Sequence, residues 1–234
     1  MADVRVNGRR LALLQKETQL QALVDKLDGI AARSASCLTA LLIGGVEVDL
    51  ENAETLAALP ALTDADVVEA RIENTAQLSF ESLQVAQEMA ELLIFDIKVT
   101  TLKLWDANSF AEKEIENLLK DCHTFLTLGA HPLDLLQRSP LELSATAQDC
   151  LHELDKVAQC VEDATLLAVH SQCKDSCHVL VGRVMPAVER WLGLSTIFAK
   201  ELEIDRLERP NLGEAADVVP FRPVPGQVPF NITR

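Results

Sequence analysis

One long stripe of apolar residues most limits what this chain can fold into. Thr63 and Asp64 can cap a helix at the start of this stripe, and the stripe ends near Trp105. At ~1.5 Å per residue, a helix of about 40 residues is ~60 Å long, so it needs partners along its length. Its apolar residues recur at three- and four-residue steps, the spacing of one helix face: Val68, Ile72, Ala76, Phe80, Leu83, Ala86, Ala90, Leu93, Ile94, Ile97 and Leu104.

A second stripe, from Leu11 to Ile43, predicts a helix at the N-terminal end of the chain. Gly44 and Gly45 follow it, where a left-handed C-terminal cap is favourable. Residues 46–62 are interpreted as a short helix or loop between two longer elements. Strands are not expected, because aromatic residues make up only 4% of the chain and 9 glycines are few for the turns of a β-sandwich.

A third helix is predicted after residue 107. Ser109 is followed three residues later by Glu112, which forms a capping box at the start of that helix. Gly129 and Pro132 are interpreted as its end.

The last predicted helix begins at residues 139–142, Ser-Pro-Leu-Glu, which combine a capping residue, a first-turn proline and a glutamate. An apolar stripe then runs from Leu143 to Leu202. Pro186 is expected to bend or split it, because proline removes one backbone hydrogen bond and crowds the carbonyl of Gly182.

These patterns predict an all-α fold, an elongated antiparallel bundle of about four to five long amphipathic helices over residues 1–207. The bundle is expected either as one unit or as two sub-bundles, 1–105 and 108–207. The remaining residues, 208–234, are rich in proline and valine and predict a flexible, disordered tail. Long helices with a continuous apolar stripe commonly pair as coiled coils, so we expect a homo-oligomer.

The net charge excludes some classes of partner and favours others. With 36 acidic and 21 basic residues, the chain carries a formal charge of −15, which repels phosphate backbones and anionic lipids. No uncharged apolar run approaches the ~18 residues of a membrane span, and the N-terminal residues do not resemble a secretory signal. We therefore expect a cytoplasmic protein with reduced cysteines, a protein partner, no bound nucleic acid and no membrane span.

Cysteine and histidine residues between 150 and 178 suggest a metal or thiol site. Cys173 and Cys177 are one helical turn apart, so their sulfurs can hold one zinc or copper ion. His170 lies ~10 Å along the helix from Cys177, which requires a ligand from a second helix such as Cys122 or His123. The alternative is that each cysteine is a small apolar core residue and that the protein has no cofactor.

Four aromatic residues are candidates for contact with a partner. Trp105 and Trp191 lie near the ends of long apolar stripes, where an indole either fills the core or anchors a partner. Phe221 and Phe230 alternate with prolines in the tail, a pattern typical of extended binding segments.

The leading functional hypothesis is a non-catalytic helical interaction module: an adaptor, chaperone, inhibitor or regulatory subunit that acts through amphipathic helices and the tail. An enzyme is not expected, because the sequence has no glycine-rich phosphate loop, nucleophile elbow or zinc-protease motif. Two alternatives stay open. One is a metal-binding or thiol-based sensor bundle, and the other is a helical protein that coats an apolar surface.

Overall fold

A five-stranded sheet with one helix forms the N-terminal part of the chain. The computed structural model describes residues 2–11, 19–50, 61–106, 112–137 and 143–208. The elements are β1 (Asp3–Val6), β2 (Arg9–Arg10), α1 (Leu20–Ala32), β3 (Ser36–Ile43), β4 (Val46–Glu47) and β5 (Val67–Asn74). Strand β1 pairs parallel with β5 at the centre of the sheet, and the strand order is β2-β1-β5-β3-β4.

Two tight turns connect each outer strand of this sheet to its neighbour, β2 to β1 and β4 to β3. The first is Asn7-Gly8, with φ of 48° and 77°, and the second is Gly44-Gly45, with φ of 59° and 84°. Two central residues with positive φ are typical of the type I′ turn, whose twist matches the twist of paired strands. Gly44 and Gly45 therefore form a hairpin turn between β3 and β4, and their interpretation as a helix cap is wrong.

The helices predicted over Leu11–Ile43 and from Thr63 onward are partly replaced by strands. Among residues 19–43, only Leu20–Ala32 is helical, and Ser36–Ile43 forms β3. Along β5, buried and exposed residues alternate, and Val68 and Ile72 point into the core between the sheet and α1. Two residues that are four apart lie on the same side of a helix and also on the same side of a strand, so the spacing of Val68 and Ile72 fits both structures equally well.

A helical bundle follows the sheet and confirms that the chain is mostly helical. The helices are α2 (Thr75–Asp106), α3 (Glu112–Gln137), α4 (Ala145–Val169), α5 (Cys173–Val179) and α6 (Met185–Glu208), with a π-helical turn at Leu180–Val184. Gln87 forms a hydrogen bond with Ser195, while Lys98, eleven residues later, forms one with Glu189, so α2 and α6 run antiparallel.

The predicted end of helix α3 at Gly129 and Pro132 is wrong, because the helix continues to Gln137. Gly129 lies where α3 meets α4 and α6, and a Cβ atom there would stand 2.9 Å from Cδ2 of Leu154 and 3.5 Å from Cζ2 of Trp191. The glycine therefore allows close helix packing and does not end the helix.

The stripe from Leu143 to Leu202 is broken at one place and widened into a π-helical turn at another. Ser171 has a φ of 61° and separates α4 from α5, a break that the sequence pattern did not reveal. No break follows α5, because the helix continues through the π-helical turn into α6, where the Met185 N–H donates to the Leu180 carbonyl five residues earlier. This widened turn directly precedes Pro186, whose ring would crowd the carbonyl of Gly182 in a regular α-helix.

Helix α4 begins at Ala145, and the Ser144 hydroxyl accepts a hydrogen bond from the Ala147 N–H at 3.1 Å. The predicted start signals at 139–142 and at Ser109 lie outside the described residues, as does the predicted tail from residue 209 onward.

Candidate interaction surface

Helix α2 carries a second apolar stripe, which is exposed to solvent. Its large apolar side chains are Val85, Leu92, Phe95 and Leu102, which are 51%, 59%, 61% and 62% exposed. With Glu88 and Val99 between them, these residues follow one another at alternating steps of three and four, the heptad pattern of a coiled-coil seam.

This outer stripe lies on the side of α2 opposite the core. Leu83, Ala90 and Ile97 are fully buried in the bundle. Val85, Leu92 and Val99 each come two residues later, about 200° further round a helix with 3.6 residues per turn. Helix α2 therefore has two apolar faces, and the bundle of the described residues covers only one of them.

Charged residues flank the outer stripe on both sides. Glu91 and Lys98 lie on the flank towards α6, where the Lys98 ammonium is 3.1 Å from the Glu189 carboxylate. Asp96 and Lys103 lie on the flank towards α3. Burial raises the pKa of Asp121 on α3, and the negative charge of Asp96 raises it further. An apolar seam between charged rows is the arrangement that coiled coils use to select partners.

Exposed apolar side chains on the other long helices form shorter rows among the described residues than the stripe on α2. Helix α4 exposes Leu166 and Val169 at one end, and α6 exposes Ile197, Ile204 and Leu207, which are seven and three residues apart on one face of its last turns. Single exposed apolar residues are normal on protein surfaces, whereas a contiguous exposed patch indicates an interaction site.

The two tryptophans lie in different environments. Trp191 is 0% exposed, and its ring packs edge-on against Phe125 with ring centroids 5.0 Å apart, so it is a core residue and not a surface anchor in this conformation. Trp105 is half-buried and lies three residues after Leu102, with its ring 5.1 Å from that of His178. Phe221 and Phe230, the other aromatic candidates, lie outside the described residues.

The residues of the predicted metal site lie around the break between α4 and α5. Cys173 is half-buried and Cys177 is buried, and burial raises the pKa of Cys177 to about 11. His170 is exposed at the end of α4, where its backbone N–H donates to the Leu166 carbonyl at 3.2 Å. Within the part of the chain that the structure describes, no group of three or more His, Cys, Asp or Glu side chains is arranged to hold a metal ion.

A groove of about 340 Å³ between α4 and α6 is lined by Lys156, Arg183 and Arg190. Each of these cations already has an acidic partner. Lys156 and Arg190 contact Glu153 at 2.5 and 3.1 Å, and Arg183 contacts Asp163 at 2.7 Å. The hydrogen bond from Lys156, followed by that from Arg190, lowers the pKa of Glu153, which is almost buried. These pairs connect α4 to the π-helical turn and to α6.

Comparison of the chain with protein-family models, with curated proteins and with solved structures found no match. None of the helices among the described residues combines the length and the apolar character needed to cross a bilayer. The outer stripe of α2 is therefore the feature on which a proposed function depends, and the apolar stripes predicted from the sequence do not include it.

Proposed function

We propose that this chain is a non-catalytic helical interaction protein that binds a partner helix along the outer stripe of α2. An adaptor, chaperone, inhibitor or regulatory subunit would need such a surface. The observation that supports this function is the row Val85, Leu92, Phe95 and Leu102, each more than half exposed on the face opposite the core.

The energetics of burial support a binding role for this row. Full burial of a large apolar side chain contributes roughly 1.5–3 kcal/mol, so covering the exposed half of four such side chains contributes roughly 4 kcal/mol before the costs of association. The partner helix covers apolar side chains of its own in the same contact, and the two contributions together offset an association cost of at least about 4 kcal/mol, which gives a weak, reversible contact. A stripe with heptad spacing fits an amphipathic helix, which would place its own apolar residues between those of α2.

Charge and cysteine chemistry support a protein partner in a reducing compartment. The net charge of −15 opposes binding to nucleic acid and to anionic lipid. All six cysteines are free, and three of them are buried, as is usual for proteins of the cytoplasm, where we place the proposed function.

The test compares two variants with the same type of change on different faces. Leu92→Glu combined with Phe95→Glu places charge on the outer stripe, whereas Leu166→Glu places charge on α4 at a side chain that is 54% exposed. Each protein is added to lysate, cross-linked and analysed by mass spectrometry, and circular dichroism checks that each is folded.

We expect the wild type and Leu166→Glu to give cross-links from α2 to a partner chain, and the stripe variant to lose them. If no protein, including another copy of this chain, is cross-linked to α2 in a stripe-dependent way, the proposed function is wrong.

A further inference from the structure

We infer that the helix that covers the outer stripe of α2 is the same stripe of a second copy, running antiparallel. This inference rests on the proposed function and names its partner. Its basis is the order of charged and apolar residues along α2, their exposure, and the ion pair between Lys98 and Glu189.

The apolar positions of the stripe are complementary to themselves when α2 is reversed. With a two-fold axis between residues 93 and 94, Leu92 lies opposite Phe95 of the partner, and Val85 lies opposite Leu102 of the partner. Antiparallel coiled coils build their layers from such a-to-d pairs. All four exposed apolar side chains then have an apolar counterpart in the other copy, as a two-fold interface requires.

The flanking charges favour the antiparallel over the parallel arrangement. In the antiparallel register, Glu91 lies beside Lys98 of the partner, and the two-fold axis produces this attractive pair twice. In a parallel dimer, Glu91 would lie beside Asp96 of the partner instead. Lys98 would likewise lie beside Lys103 of the partner, so both contacts would join like charges, which are destabilising.

Lys98 is also paired with Glu189 within its own chain. Its side chain is 50% exposed and that of Glu189 is 46% exposed, so the ammonium group still faces solvent. An exposed pair of this kind contributes little to stability, and an ammonium group has three donors. Lys98 can therefore contact Glu189 and Glu91 of the partner together.

Two layers of the seam are imperfect and keep the predicted dimer reversible. In the antiparallel register, Glu88 lies opposite Val99 of the partner. A carboxylate in a coiled-coil seam must reach solvent or lose hydration, which weakens the contact. Because Glu88 is exposed in the single chain, replacing it by leucine should leave the fold intact and complete two apolar layers.

The experiment measures the dimer dissociation constant of untagged full-length protein by sedimentation velocity over a wide range of concentration. We expect a monomer–dimer equilibrium in the wild type. Glu88→Leu should lower the dissociation constant by about tenfold or more, because it adds apolar burial in two layers. Leu92→Glu with Phe95→Glu should abolish the dimer, and Leu166→Glu should leave it unchanged.

Charge reversal tests the direction of the helices. Glu91→Lys should raise the dissociation constant by about tenfold, because the new lysine then lies beside Lys98 of the partner at both symmetry-related positions. Adding Lys98→Glu should return the dissociation constant to the wild-type value, because opposite charges face each other again. Glu189→Gln is the control for the lost partner of Lys98. If Glu91→Lys tightens the dimer, the helices are parallel and the antiparallel inference is overturned.

A protein that stays monomeric at every concentration, also with Glu88→Leu, overturns the inference. The cross-linking experiment in lysate separates this result from a failure of the proposed function. A monomer whose α2 still cross-links to another protein retains the proposed function with a different partner.

Discussion

At the scale of single residues, the buried cysteines are held as neutral thiols. Burial raises the pKa of Cys122 and Cys150 to about 12 and that of Cys177 to about 11. The thiolate is the nucleophile, so at about pH 8 these residues should react slowly with iodoacetamide. Cys173 is half-buried one turn from Cys177 on α5 and is the matched control.

We expect Cys173 to be alkylated well before Cys177 in the folded protein, and both to react in denaturant. Peptide mass spectrometry over time measures this difference. Equal alkylation rates of the two cysteines in the folded state would show that α5 opens readily, which would contradict the burial of Cys177 in the core of the bundle. A thiol-based sensor in this protein would have to use a half-buried cysteine such as Cys160 or Cys173.

A comparison of alanine substitutions at two helical glycines distinguishes the effect of close packing from the effect of helix propensity. Gly129 and Gly193 both lie inside helices, but a Cβ atom meets Leu154 at 2.9 Å in the first case and no atom within 4 Å in the second. Alanine should favour both helices by about 1 kcal/mol. At Gly129 the overpacking should cost about 1–3 kcal/mol as well.

We therefore expect Gly193→Ala to raise the free energy of unfolding, and Gly129→Ala to be less stable than Gly193→Ala by about 1–3 kcal/mol. Urea unfolding of the two variants measures the difference directly. Equal stabilisation by both substitutions would mean that Leu154 moves aside without cost, and that Gly129 is not required where the three helices meet.

At the scale of secondary-structure elements, periodicity predicted the bundle because long helices repeat the signal many times. Helix α2 shows this from Ala76 to Leu104, where most of the predicted inner stripe is buried and Phe80 and Ile94 are partly buried. The outer stripe is hard to recognise because Leu92 and Phe95 adjoin Leu93 and Ile94 of the inner stripe, so the four residues form one apolar run in the sequence. A helix with apolar residues on opposite faces has to be tested for each face separately.

Strands β3 and β5 are hard to recognise because their apolar residues continue the spacing of the helix next to each of them in the sequence. Val68 and Ile72 fit both a helical and a strand period, and only the intervening residues, such as buried Ala70, decide between them. The sequence did contain a stronger signal. Asn7-Gly8 and Gly44-Gly45 are both two-residue turn sequences of the type I′ class, and β-strands flank each of them.

The junction between sheet and bundle also follows from local chemistry. Asn74 ends β5, and its side-chain oxygen accepts a hydrogen bond from the Gln77 N–H at 3.0 Å, which caps α2. The Thr75 N–H donates to the Ala35 carbonyl at 3.2 Å, next to β3. Helix α2 thus begins directly after the central strand of the sheet, with no linker between them.

At the scale of the whole molecule, the proposed dimer should make thermal stability depend on protein concentration. Association stabilises the folded state by mass action, and only the folded state presents the outer stripe as one continuous row. The melting temperature of the wild type should therefore rise with concentration. With Glu88→Leu, the melting temperature should begin to rise at lower protein concentrations, because a tighter dimer forms at lower concentrations.

Leu92→Glu with Phe95→Glu should give a melting temperature that does not change with concentration, while Leu166→Glu should behave like the wild type. Differential scanning calorimetry across the same concentration range as sedimentation tests this. Because α2 follows β5 without a linker, tertiary contacts of the sheet should be lost together with those of the bundle. A constant melting temperature in the wild type would contradict a dimer that forms through α2.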